Sequence, residues 1–252
     1  MSSVITSKNF NKVIVILGPT GSGKTGVSIE LAKMIGGEII SADSRAIYKG
    51  MNIGTAKPTV EEMDGVPHYG LDLVEPGERF TVADWKKYTE EKILEIKTRG
   101  KIPIIVGGTG LYIDALIYDY QFGKNRKAED RKSLCTNYLL IGVKWTTEEL
   151  RKRLSMRLDK MFVQELYDET KYFVSKYGWD IQAMKSDIYE YAWKYLCGEL
   201  TLEEAKLKCF YEDYHLAKRQ LTWFKRTSEI NWLELEKICP FVIKYIQNEQ
   251  RN

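Results

Sequence analysis

The sequence predicts an α/β fold, a parallel sheet with helices on both faces followed by a helical C-terminal half. Three observations predict it. Short apolar runs alternate with helix-period segments through the first half. A glycine-rich stretch, GPTGSGKT from Gly18 to Thr25, follows the first apolar run directly and opens a helix. Beyond residue 146 the chain carries helix-capping signals and almost no further strand pattern.

Taken in order, VIVIL (13–17) reads as a buried strand, the residues after Thr25 as a helix through about Ile35, and GEIISA (37–42) as a second strand. TVAD opens the next helix, from about Val82 to Arg99, with Thr81 and Asp84 at capping-box spacing. KIPIIVGG (101–108) reads as a third strand and NYLLIGVKW (137–145) as a further one. Strands separated by helices imply right-handed crossovers, and hence a parallel sheet covered on both faces. Thr146 with Glu149 and Thr201 with Glu204 start helices in the second half, the latter running on through TLEEAKLKCFYEDYHLAKRQLTWFKR. The polar stretch between Ala115 and Asn137, with Lys124, Arg126, Lys127, Arg131 and Lys132, reads as a loop or short lid. One domain is expected over residues 1–252, with 116–137 as its basic loop and 146–252 as a mostly helical part packed on the core.

Composition bounds the function. Hydrophobic residues at 44% and charged residues at 29% are those of a soluble globular protein and exclude a disordered or collagen-like chain. A net charge of +3 is too small to mark the whole chain as a nucleic-acid binder, so any such binding needs a local patch. The four cysteines are scattered, with no C-x-x-C pair and only His68 and His215 beside them, which argues for reduced thiols in a cytoplasmic protein and against a zinc site. No signal-peptide pattern opens the chain, and no segment reaches the roughly 18 apolar residues of a membrane span.

Gly18, Gly23, Lys24 and Thr25 match G-x-x-x-x-G-K-[ST] in the strand–loop–helix setting that the motif requires, narrowing the fold to the P-loop NTPase type. Such a loop curls so that its N–H groups face an anion at a helix N-terminus, and lysine adds a full charge. Gly18, Pro19, Thr20, Gly21, Ser22, Gly23, Lys24 and Thr25 are therefore candidate ligands of a diphosphate or nucleotide, with Thr25 the candidate Mg²⁺ ligand. The loop alone fits hydrolases, kinases and other transferases. A hydrolase usually has a Walker-B carboxylate at the end of an apolar strand, yet IPIIVGGTG ends without an acid. The strand that does end in one is GEIISA, at Asp43, which suits a kinase-like transferase whose acid meets the acceptor. Asp43 also reads as the N-cap of a helix over SRAIYKG.

Five segments occur in order between about Gly18 and Arg226: GPTGSGKT, SADSRAIYKGMNIGTAKP, HYGLDLVEPGERFTVADW, GGTGLY and AKRQLTWFKR. With them the sequence resembles the tRNA dimethylallyltransferases, also called tRNA isopentenylpyrophosphate transferases. The resemblance implies transfer of a dimethylallyl group from dimethylallyl diphosphate to the exocyclic N6 of the adenosine just 3′ of the anticodon, in tRNAs reading codons that begin with U. The partner would be the tRNA anticodon stem-loop and the cofactor Mg²⁺; a monomer is expected.

Residue by residue, the resemblance makes Asp43 the general base, worth about 10²–10⁴-fold for a poorly nucleophilic adenine amine. Lys24 and the loop N–H groups would meet charge on the departing diphosphate. Thr20 would line the allyl diphosphate site, and Thr109 in GGTGLY would touch substrate as a catalytic position; otherwise Thr109 is a polar turn residue. Asp43, Ser44, Arg45 and Ala46 would meet the target base and its neighbours, with Lys185, Arg219 and Gln220 as further tRNA contacts. Without the resemblance, Leu216, Trp223 and Phe224 read as core and the cations around them as a solvated face. Lys57 in IGTAKP is either another phosphate contact or a solvated lysine.

The sequence departs from the family pattern at several places. A helical insertion usual after GGTGLY is replaced by the basic stretch from Lys124 to Lys132. Lys185 stands where arginine is usual, offering a point charge instead of a bidentate fork. Ile188 stands where glycine is usual, and Asp213 to His215 replace a T-R-x that precedes AKRQ. The departures keep open an isopentenyltransferase acting on free AMP or a smaller RNA, a P-loop nucleoside or nucleotide kinase with Lys124 to Lys132 as its lid, and a tRNA-binding protein without catalysis. IGTAKP and AKRQLTWF speak against the kinase, and the intact Lys24, Thr25, Asp43 and Thr109 against the last.

Overall fold

The computed structural model describes residues 10–122 and 136–251. Among them, six strands form one sheet: β1 (Val13–Leu17), β2 (Gly37–Ala42), β3 (His68–Tyr69), β4 (Ile102–Gly107), β5 (Tyr138–Val143) and β6 (Asn231–Leu233). Every pairing is parallel and the order is β3-β2-β4-β1-β5-β6. The helices are α1 (Lys24–Ile35), α2 (Val60–Met63), α3 (Val82–Thr98), α4 (Gly110–Ile117), α5 (Thr147–Met161), α6 (Gln164–Tyr177), α7 (Asp187–Leu196), α8 (Leu202–Phe224) and α9 (Leu235–Glu249).

Side chains alternate across a strand, so Ile14 and Ile16 face one way and Val13, Val15 and Leu17 the other. The first face packs beneath α1 and α9, against Leu31, Ile35, Val242 and Ile246. The second packs beneath α3 and α4, against Trp85, Ile96 and Ile113. Burial on both sides explains why the strands read as unbroken apolar runs. A third core joins α5, α6, α7 and α8 to the segment after β2, through Ile47, Met51, Phe162, Phe173 and Tyr189. The helical half is thus fastened to the sheet domain by the same stretch that carries Asp43.

The capping boxes at Thr81–Asp84, Thr146–Glu149 and Thr201–Glu204 all form, and a fourth, Thr59–Glu62, opens the short α2. One boundary is corrected and two unexpected strands are added. GLYIDALI is a helix reaching Ile117, so no loop begins at residue 116; its residues from Tyr112 to Ile117 are all buried, which erases the amphipathic period that marks a surface helix. The mostly helical second half also contributes a strand, β6, which adds to β5 in parallel; three residues are too few for a period to register. The two residues of β3 escape for the same reason. Lys124, Arg126, Lys127, Arg131 and Lys132 lie outside the described residues. Among the described residues no helix is long and apolar enough to cross a membrane.

Candidate active site

Because β2, β4 and β1 are neighbours in a parallel sheet, the loops leaving their carboxyl ends converge, the usual place for a ligand in such folds. The loop after β1 turns at Gly21 and Gly23, whose φ values of 73° and 82° favour glycine. Gly23 is the N-cap of α1 and makes no side-chain cap bond, so the helix presents its first-turn N–H groups and positive end to the cleft. Lys24 folds back over this loop, its Nζ donating to Pro19 O at 2.6 Å and Ser22 Oγ at 3.4 Å. Burial pushes the Lys24 ammonium down to about 8; the Asp43 carboxylate opposes that shift and the Arg157 guanidinium adds to it.

The segment after β2 is not a helix, which corrects the N-cap reading of Asp43. Asp43 Oδ1 accepts the Arg45 N–H at 2.8 Å, an Asx turn, and Tyr48 then bridges to Val74, drawing the chain out of helical geometry. The Arg45 guanidinium donates to Gln182 O at 2.8 Å and to Lys185 O. Thr109, in the loop after β4, accepts the Ser44 N–H at 3.0 Å and donates to Ser44 Oγ at 3.3 Å, so it braces the residue beside Asp43. Gln220 on α8 closes the arrangement. Its Oε1 accepts the Thr20 N–H at 2.8 Å and its Nε2 donates to Gly108 O at 3.0 Å. The close crossing of α8 needs glycine at position 110, where a Cβ would stand 2.5 Å from the Trp223 ring.

The resulting cleft has a volume of about 690 Å³ and contains Thr20 through Thr25, Asp43, Ala46 and Gln220. Gly18, Pro19, Ser44, Arg45, Thr109, Lys185 and Arg219 do not line it. Arg219 is exposed, one position round α8 from Gln220, and Lys185 is exposed on a different cavity. Trp223 and Phe224 are packed against the sheet, as the core reading has it. Lys57 lines the cleft and is not a solvated lysine. It is buried, donating to Tyr48 O at 2.8 Å and to Asp72 Oδ1 at 2.6 Å, because the turn through IGTAKP folds its stem inward.

Sequence reasoning missed the cations of α5. Arg153, Arg157 and Lys160, at i, i+4 and i+7, share the helix face that lines the cleft. Arg153 Nε donates to Gly21 O at 2.9 Å and its guanidinium lies 4.7 Å from the Trp145 ring. Arg157 is held by Asp213 at 2.6 Å, so the residue standing in the altered T-R-x triplet orients a cleft arginine. Burial raises the Asp213 carboxyl while Arg157 lowers it. The helical spacing in RKRLSMRLDK was the available signal. Glu169 had none: it accepts N–H groups from Asn52, Ile53 and Gly54 at 2.7, 3.0 and 2.9 Å and the Tyr189 hydroxyl at 2.6 Å, pinning the segment after β2 to α6.

Sheet and cleft together define an α/β protein with its ligand site at the carboxyl ends of parallel strands, built from a glycine-rich loop and an opposed carboxylate. The IPP transferase family model matches residues 46–137 and 122–227, and the isopentenyl transferase model matches residues 11–75. A tRNA dimethylallyltransferase of Anoxybacillus flavithermus is 36% identical over 301 aligned positions, covering 94% of this chain and 97% of that protein. The Bacillus subtilis tRNA dimethylallyltransferase is 34% identical, with 88% and 90% covered. The solved full-length tRNA isopentenylpyrophosphate transferase of Bacillus halodurans superposes with a TM-score of 0.85 at 32% identity, covering 96% of this chain and 98% of its own. The chain belongs to the IPP transferase family of tRNA dimethylallyltransferases. A eukaryotic dimethylallyltransferase acting on tRNA shares the fold at 22% identity, with a TM-score of 0.78, and covers 89% of this chain and 74% of its own.

Proposed function

We propose that the protein transfers a dimethylallyl group from dimethylallyl diphosphate to N6 of the adenosine 3′ of the anticodon in tRNAs reading codons that begin with U. The observation that carries this reading is the presence of a diphosphate-type loop and a carboxylate, Asp43, in one cleft of a chain of this family. In the reaction the allylic C–O bond breaks, the N6–C bond forms, the diphosphate departs and the N6 proton goes to Asp43. Backbone N–H groups of Gly21 and Gly23 to Thr25, with Lys24 and the α5 cations Arg153, Arg157 and Lys160, offset charge on the leaving oxygen. Ile39, Val106, Met156 and Met161, which also line the cleft, supply an apolar surface for the allyl tail.

Mg²⁺ fits this donor set. It takes oxygen ligands, one or two from protein and the rest from phosphates and water, and the Thr25 hydroxyl and Asp43 both line the cleft. Bound by Thr25, it would neutralise charge on the diphosphate. Ala46 is assigned to the acceptor base, the exposed Lys185 and Arg219 to tRNA phosphates, and Gln220, whose amide is engaged by Thr20 and Gly108, to holding the loops around the base. Arg45, Ser44 and Thr109 are assigned to positioning Asp43, since their polar groups are engaged within the protein. The enzyme is proposed to act as a cytoplasmic monomer with a single P-loop-type transferase domain.

The test is transfer from dimethylallyl diphosphate to tRNA, an anticodon stem-loop and AMP side by side, read as the mass gain of one C5H8 unit. Prenylation of tRNA and stem-loop is expected, with turnover about 10²–10⁴-fold lower in Asp43→Ala and donor binding retained. ATP-dependent phosphorylation of a small acceptor without prenyl transfer overturns the reading.

A further inference from the structure

A second cavity, of about 560 Å³, lies in the helical half, bounded by the segment from Trp179 to Asp187 and by α7. The rings of Trp179 and Trp193, 5.8 Å apart and inclined at 75°, form part of its wall. Lys185, Asp187 and the ion pair of Glu190 with Lys194, at 2.5 Å, also line it. Ser186, at the N-cap of α7, makes no cap bond there, and its buried Oγ has no hydrogen-bond partner. Burial, with Glu212 and Glu190 beside it, raises the Asp187 carboxyl, and an incoming N–H donor would relieve that penalty. The set combines flat faces for stacking, acceptors for an amine and a cation for a phosphate. It has too many carboxylates to be a second diphosphate site.

Its position relative to the catalytic loop is set by one side chain. Arg45 gives its backbone N–H to Asp43 and its guanidinium to Gln182 O and Lys185 O, so the cavity wall stands one arginine length from the reacting centre. That is the reach of a nucleotide or two along a single strand. Drawing an adenosine out of a loop strips its neighbours of their stacking partner, and aromatic side chains are the usual replacement.

We propose that this cavity receives a base flanking the acceptor adenosine, an amino-bearing base stacked on Trp179 or Trp193, with its amine on Asp187 and its phosphate at Lys185. The inference rests on RNA being the acceptor. It makes the helical half a reader of the sequence next to the modified position.

The experiment uses the full chain and anticodon stem-loops with a fluorescent aminopurine placed at each flanking position in turn. On binding, one position is expected to be quenched by stacking, and the quench to disappear in Trp179→Leu. Steady-state rates should show the stem-loop KM about tenfold higher in Trp179→Leu, in keeping with base–aromatic stacking, while kcat stays within about twofold and the donor KM is unchanged. Asp187→Asn, which keeps the shape of the site if the tryptophan variant folds poorly, should raise KM only for stem-loops whose flanking base bears the amine. No quenched position, or an unchanged stem-loop KM in both variants, overturns the inference. So does tryptophan quenching by a polyamine with no response to the stem-loop, which would assign the cavity to an organic cation. Prenylation of the same stem-loop by the wild-type protein is read separately, so a failure of the proposed function is distinguishable from a failure of this site.

Discussion

Lys24 is the residue whose charge the cleft most clearly disfavours, and its pH dependence has a definite sign. Its value of about 8 in the folded protein lies below the ordinary 10.5. Between those values the unfolded chain holds more protons, so the contribution of Lys24 makes the free protein more stable as pH rises across that range. Binding of a diphosphate needs the charged form. Initial rates should therefore show kcat/KM for the donor falling as pH rises through about 8, with the limb displaced upward in Lys24→Arg. A profile unchanged by that substitution would remove Lys24 from the donor site. Lys24 and Asp43 were legible in the sequence because each stands in a short contiguous pattern. Gln220 was singled out only through the resemblance, as a tRNA contact, and its bracing role was not legible, since its partners Thr20 and Gly108 are 200 and 112 positions away.

Elements announce themselves through caps and periods, and fail to when they have neither. Three capping boxes located helix starts correctly, whereas α4 was hidden by complete burial of its later turns. The cationic face of α5 was visible as spacing, but what it faces depends on the path of the chain between β5 and β6. The segment after β2 is an element without regular structure, held by tertiary contacts to α6. Glu169→Ala leaves three N–H groups and the Tyr189 hydroxyl without their acceptor, and should cost about 2–3 kcal/mol, measured by chemical denaturation. An unchanged denaturation midpoint would show that the clamp contributes nothing.

At the scale of the whole molecule, the alternation of strands and helices was enough to predict a parallel sheet with two covered faces, and that is what forms. The outer edge beyond β5 was not readable, because β6 is three residues long and arrives only after four helices. The same late segment supplies α9, whose Ile238, Val242 and Ile246 are fully buried against the first sheet face. A chain ending at Arg226 would strip α9 from that face, leaving only α1 over it, and the edge of β5 unpaired, and is expected to lose cooperative thermal unfolding and to aggregate. A sharp melting transition in that truncated chain would refute the dependence of the sheet on its last two elements.

The amide of Gln220 has a consequence for biosynthesis. A partly translated chain already carries the glycine loop and Asp43, yet lacks the crosspiece that sets the loops after β1 and β4 against each other. Until residue 220 has been added, the growing chain holds nothing that sets the glycine loop and Asp43 for prenyl transfer.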